Sequence, residues 1–137
     1  MKAFALKIVT PDGIAFEGMA EELIVRTTTG DTGILAGHTN YVAPLGMGVA
    51  TVMIDGKKRK AACMGGMVSV VNGAVTLVPT TFEWAEQIDL ARAEESKRRA
   101  EQILSQKNAS DTQIVLAKAR LKRALVRTNV ATPQRKR

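Results

Sequence analysis

Asp89, Arg92, Arg98 and Arg99 gather at one point of the chain, in the stretch IDLARAEESKRR spanning residues 88–99. Groups of these types at these spacings can serve a helix itself. Asp89 is a good N-cap type, and Arg92 and Arg99 stand three residues before and four after Glu95, where either can pair with it. Guanidiniums can also bind carboxylates and phosphates through paired N–H donors. Catalysis finds no support elsewhere. His38, in GILAGHTN, is the only histidine, and Cys63, in KAACM, the only cysteine, so neither a Cys–His pair nor a cluster of metal ligands can be assembled. His38 in a glycine-rich turn reads as a hydrogen-bonding turn residue. Cys63 in an apolar strand-like segment reads as a buried, inert thiol. No G-x-x-x-x-G-K-[ST] loop is present to cradle phosphates. A non-enzymatic protein without a metal or obligatory cofactor is expected.

Charge is divided unevenly. Residues 1–84 carry seven Lys and Arg against seven Asp and Glu, while residues 85–137 carry thirteen against six, so the whole net charge of +7 belongs to the second part. From Lys118 onward come Lys118, Arg120, Lys122, Arg123, Arg127, Arg135, Lys136 and Arg137 with no acidic residue among them. Such a run seeks an acidic partner or is solvated. Nucleic acid is a poor candidate, because residues 85–137 contain no aromatic side chain for base stacking. The apolar stretch after Met1 is too short and interrupted for a signal peptide. Nothing approaches the ~18 continuous apolar residues of a membrane span, so a cytosolic or peripherally bound protein is expected.

The elements that carry these residues change type near residue 85. FALKIV alternates Phe4, Leu6 and Ile8 against Ala5, Lys7 and Val9, then meets the turn residues Pro11, Asp12 and Gly13. EELIVRT reads as a second strand, followed by a glycine-rich turn region, TTTGDTGILAGHTN. GVATVMI and KKRKAAC flank Asp55-Gly56, and MVSVV and AVTLV flank Asn72-Gly73. These are two hairpins of a type whose central residues need positive φ. Short strands with turn signals between them predict an all-β sandwich or barrel over residues 1–84.

Beyond TTFEWAEQ the period becomes helical. The spacing predicts one helix over about 89–106, with Leu90, Ala93, Ala100 and Leu104 on a narrow stripe, and a second over about 111–128. Ser110 and Gln113 form an S-x-x-Q capping box at the second helix, whose stripe is Ile114, Ala117, Leu121, Ala124 and Leu125. Arg120, Arg123 and Arg127 lie on another face. Thr132-Pro133 ends the helix and leaves a basic tail. Two helices joined by a short polar loop fold back as an antiparallel hairpin. Alanine-rich contact faces bury little apolar surface, so the pair is expected to be weakly held on its own and able to dock elsewhere.

Taken in order, VTPDG after the first strand, GDTGILAGHTNYVAPL, Gly65-Gly66 before a strand and IDLARA opening a helical hairpin resemble the epsilon subunit of the F-type ATP synthase. The resemblance covers residues 2 to about 131, departing from the common pattern at Ala36, where the turn usually carries proline. It implies a ten-stranded β-sandwich over 1–84 followed by a regulatory two-helix hairpin over 85–137, in a non-catalytic subunit of the central stalk. It implies that the sandwich joins the gamma subunit to the c-ring, which it meets at positions matching Asp31 and His38. It also implies a location at the cytoplasmic face of the bacterial membrane, held there peripherally by the complex.

The hairpin, by the same resemblance, is a switch: compact against the sandwich, or extended along gamma toward the alpha and beta catalytic subunits, restraining ATP hydrolysis. Lys118, Arg120, Lys122, Arg123 and Arg127 would meet an acidic segment of a catalytic subunit. Some members of the family bind regulatory ATP in the compact state through an I/L-D-x-x-R-A motif, which Ile88, Asp89, Arg92 and Ala93 match. Carried over, the ATP site comprises Glu83, Ile88, Asp89, Arg92, Arg99 and, on the second helix, Arg123. Arg92 and Arg99, seven residues apart, lie on one side of a helix and about 10 Å along it, so both could reach one triphosphate. A basic residue found earlier in the second helix of ATP-binding members is absent, the local sequence being QIVLAK. A nucleotide-sensing module and a ligand-independent protein–protein brake both remain open on the sequence.

Overall fold

A computed structural model describes residues 2–132; the tail with Arg135, Lys136 and Arg137 lies outside the described residues. The chain divides between Trp84 and Ala85 into two compact units.

The first unit is a sandwich of ten strands: β1 (Phe4–Thr10), β2 (Gly13–Ala20), β3 (Glu22–Thr27), β4 (Gly30–Leu35), β5 (Tyr41–Pro44), β6 (Met47–Ile54), β7 (Lys57–Met64), β8 (Met67–Val71), β9 (Ala74–Val78) and β10 (Thr81–Trp84). One sheet runs β2-β1-β9-β8-β5 and the other β10-β7-β6-β3-β4. All pairings are antiparallel except that of β1 with β9. Alternation decides which face is inside. In β1 Phe4, Leu6 and Ile8 are buried while Ala5 and Lys7 are exposed. They meet Leu23, Val25 and Val52 of the opposite sheet in one core of mostly aliphatic side chains, which suits a chain with 4% aromatics.

Both expected hairpin turns form. Asp55 and Gly56 have φ of 51° and 75°, and Asn72 and Gly73 have 48° and 83°, the left-handed pair that matches the twist of the flanking strands. Gly65-Gly66 carries β7 into β8, and Gly66, at φ 91°, has no room for a side chain: a Cβ there would meet the Val78 carbonyl oxygen. Four strands stand where the pattern of residues showed none: β2, β4, β5 and β10. In β4 the glycine-rich GDTGIL is extended and pairs with all six residues of β3, so two of its glycines are strand residues rather than turns.

The second unit holds a short 3-10 turn, Ala85–Gln87, then α1 (Leu90–Ser105) and α2 (Asp111–Ala131), packed on each other as an antiparallel hairpin. The α2 helix continues three residues past its expected end. Asp89 caps α1, its side chain accepting the Arg92 backbone N–H at 3.1 Å. Ser110 and Gln113 exchange both bonds of the capping box, at 2.8 and 3.1 Å. The seam is made of alanine: Ala93 and Ala100 of α1 and Ala117 and Ala124 of α2 are buried, in each helix seven residues apart. Val130 is buried as well. Leu125, expected on the stripe, is 45% exposed, and Leu90, Leu104, Ile114 and Leu121 are half-buried. Small residues let two helices approach closely, so only a narrow strip is covered and a neighbour about 100° around the helix, as Leu125 is from Ala124, stays outside.

Candidate functional site

On α1, Arg92, Glu95, Ser96, Arg99, Ala100 and Ile103 fall at the i, i+3, i+4, i+7, i+8 and i+11 positions of a helix, forming a stripe along one side. With Arg120 of α2 this stripe lines an open groove between the two helices of about 470 Å³, a size suited to a small molecule. Its walls carry three guanidiniums and one carboxylate, so the lining side chains carry a net charge of +2. Arg99 Nη2 donates to Glu95 Oε1 at 2.7 Å, and both side chains are more than half exposed. Exposed pairs of this kind contribute at most about 1 kcal/mol, so an arriving anion can recruit Arg99 at small cost. Glu95 pairs with Arg99 and not with Arg92. Among the described residues no carboxylate stands within ion-pair distance of Arg92 or Arg120.

The residues carried over from the resemblance are only partly gathered there. Arg92 and Arg99 line the groove. Asp89 has its carboxylate on the helix N-terminus, Ile88 is half-buried just ahead of it, and neither lines the groove; Glu83 stands on β10, in the sandwich unit. Arg123 is half-buried and is not part of the lining, whereas Arg120 is. Arg120 stands three residues beyond the seam residue Ala117, about 60° around α2 from it, close enough to overhang the groove. The signal was present in the sequence as that spacing from a buried alanine.

The basic residues of α2 do not share a face. At about 100° per residue Lys118 and Lys122 lie on one side, with Arg120, Arg123 and Arg127 on another. Lys118, Arg120 and Lys122 are exposed, and Arg123 and Arg127 half-buried.

Asp31 and His38 are not brought together either. Asp31 is the second residue of β4, not a loop residue, and its carboxylate takes the cross-strand Arg26 Nε at 2.8 Å. His38 follows the far end of β4, its Nδ1 2.7 Å from the Thr39 carbonyl oxygen and its ring edge-on to Tyr41. The two therefore lie toward opposite ends of the sandwich, one by the β3–β4 turn and the other in the β4–β5 loop.

Cys63 sits in the core, 4% exposed, and burial pushes its thiol from 9.0 up to about 12, which removes the thiolate at neutral pH. Among the described residues no three His, Cys, Asp or Glu side chains converge as metal ligands, and no helix is long and apolar enough to cross a membrane.

Two family models together match nearly the whole chain: the beta-sandwich domain of the ATP synthase delta/epsilon chain over residues 3–85, and its long alpha-helix domain over residues 86–132. Curated proteins named ATP synthase epsilon chain are similar throughout. That of Ruminococcus albus is 45% identical over 132 residues, covering 96% of this chain and 98% of the relative. That of Bacillus licheniformis is 43% identical over 131 residues, covering 96% and 99%. Among solved structures, a chain of the mitochondrial ATP synthase of Euglena gracilis superimposes with a TM-score of 0.78 at 22% identity, over 88% of this chain and 76% of that one. A chain from the central stalk and c-ring of the Tetrahymena thermophila enzyme gives 0.60 at 14% identity, over 93% and 96%. At those identities the two structures show a shared fold.

Proposed function

Because this chain belongs to the ATP synthase delta/epsilon chain family, we propose that it acts in the rotor, with its sandwich linking the gamma subunit to the c-ring and its helical hairpin restraining ATP hydrolysis. It is an epsilon-type, non-catalytic subunit of the ATP-synthesising complex. On this reading it works at the cytoplasmic face of the bacterial membrane, held peripherally by its partners during proton-driven synthesis.

One observation carries the brake: the hairpin is closed by four alanines, Ala93, Ala100, Ala117 and Ala124. Each buries little surface at about 25 cal/mol per Å², so this seam opens at small cost and α2 can offer Arg120, Arg123, Arg127, Lys118 and Lys122 to an acidic segment of a catalytic subunit. Deleting residues 88–137 is the test. Hydrolysis by the assembled enzyme rises while assembly is preserved; unchanged hydrolysis would count against the brake.

The arginine groove supports a ligand-sensing form of it. ATP bound to the closed hairpin favours that state by mass action and relieves restraint. Calorimetric titration of the full chain with ATP, with Arg92→Ala as control, reads this directly. No heat and no rise in melting temperature at millimolar ATP leaves the ligand-independent brake. At the sandwich, Asp31 and His38 lie toward opposite ends, so one end cannot present both to the ring; on our reading the Asp31 end meets it and His38 keeps an ordinary turn role.

A further inference from the structure

We propose that Arg26 is the residue by which the Asp31 end of the sandwich grips a carboxylate on the protein it meets, and that Asp31 serves to hold Arg26 in place. This rests on the reading that the Asp31 end meets the ring, and it reverses the roles of the two residues within that reading. Odd-numbered strands run toward this end and even-numbered ones away from it, because β1 lies parallel to β9 and every other pairing is antiparallel. The end is therefore built from residues 10–13, 26–31, 44–48, 64–67 and 78–81. Arg26 is the only basic residue in these stretches, and Asp12 and Asp31 are the only acidic ones.

The arginine is fixed from both sides of β3. Toward β6 its stem fills the space that a side chain at Gly48 would need: a Cβ there would stand 2.5 Å from Arg26 Cβ and 3.0 Å from its Cγ, and one at Gly46 would stand 3.4 Å from the same Cγ. Gly46 also donates its backbone N–H to the Arg26 carbonyl oxygen at 2.9 Å. Toward β4, Arg26 Nε donates to Asp31 Oδ1 at 2.8 Å, across a register pair of the two strands. Glycine inside a strand weakens it and marks a close approach, and what approaches Gly48 is the arginine stem. An exposed ion pair adds little to the fold, so stability does not account for such a fixed side chain. The groups left over do. Half of the Arg26 side chain is exposed, only Nε is engaged, and among the described residues neither Nη has a partner. The two Nη groups are the outer fork that takes both oxygens of a carboxylate. Asp31, by contrast, is already answered by a cation, so a basic group on the partner gains little from it.

Full-length protein and its Arg26→Ala, Arg26→Lys, Asp31→Ala and Arg26→Ala/Asp31→Ala variants are titrated against the detergent-solubilised c-ring, before and after the exposed carboxylates of the ring are blocked as amides. Both positions are exposed, and an unchanged melting temperature confirms folding. Arg26→Ala weakens binding about ten-fold or more, the loss of a charge-assisted contact. Arg26→Lys recovers only part of this, since it keeps the charge and loses the fork. Asp31→Ala weakens binding about three-fold in the parent and causes no further loss once Arg26 is alanine, the coupling expected of a residue that acts through another. Blocking the ring lowers the parent to the affinity of Arg26→Ala and leaves Arg26→Ala unchanged. An Asp31→Ala loss that is equally large with and without Arg26 overturns the assignment, making Asp31 the contact and leaving the reading of this end intact. Full binding of the parent to the blocked ring overturns the carboxylate as the group recognised. All variants binding as the parent does overturns both the assignment and the reading that this end meets the ring.

Discussion

Gly66 shows how tightly single positions are specified in the sandwich. Its φ is in the left-handed region, and a Cβ would fall within 1.9 Å of the Val78 carbonyl oxygen. Gly66→Ala must move the β7–β8 turn away from β9, which costs about 2 kcal/mol or more. A fall in the midpoint of chemical unfolding checks this, and an unchanged midpoint would show that the turn relaxes freely. Cys63 gives a pH signature. Its folded pKa is about 12 against 9.0 in the unfolded chain, so between these values the unfolded state has already lost the proton that the folded state keeps. This group's contribution is complete below pH 9 and is lost as pH climbs toward 12. Unfolding free energy should decline with pH more steeply in the parent than in Cys63→Ala, and equal slopes would refute the assignment. Below pH 9 the folded thiol should also resist alkylation. Cys63 was readable from its setting in KAACM; the Arg26–Asp31 pair was not, because it depends on β4 being a strand in register with β3.

Elements were legible where pattern and turn chemistry agreed. The alternation of β1 and the Asp-Gly and Asn-Gly dipeptides led directly to strands and turns, and the S-x-x-Q motif led to the start of α2. The residue pattern failed where strands are half-exposed or glycine-bearing. In β2, GIAFEGMA, two glycines and a bulge opposite Ile8 and Val9 blur the two-residue period, and β10 is only four residues long. The groove was partly legible: Arg92 and Arg99 follow from the IDLARA stretch, but choosing Arg120 over Arg123 needed the position of the alanine seam. That seam makes its own prediction. Ala100→Leu overfills a contact built for methyl groups and costs about 1–3 kcal/mol, seen as faster amide exchange throughout α1 and α2 with the strands unchanged. Ser110→Ala removes one half of the capping box and costs about 1 kcal/mol, confined to the first turns of α2. Exchange that rises equally in the sandwich would show that the two units do not open separately.

At the scale of the whole molecule, the division at Trp84 coincides with the division of charge, a neutral sandwich preceding a basic helical unit. The sandwich closes its core with its own strands, so residues 1–84 alone should give the dispersed amide spectrum of a folded β-protein; a collapsed spectrum would show that it depends on the rest of the chain. The basic unit should account for any salt-sensitive association, and its removal should abolish that sensitivity. Trp84 adds a practical consequence. It is the only tryptophan, 5% exposed, edge-on to Phe16 and Phe82, with the Arg59 guanidinium 3.7 Å from its ring centre. Its fluorescence therefore reports on the surroundings of β10, while far-ultraviolet ellipticity is dominated by α1 and α2, so the natural chain carries one optical channel in the sandwich and another on the helices without any label.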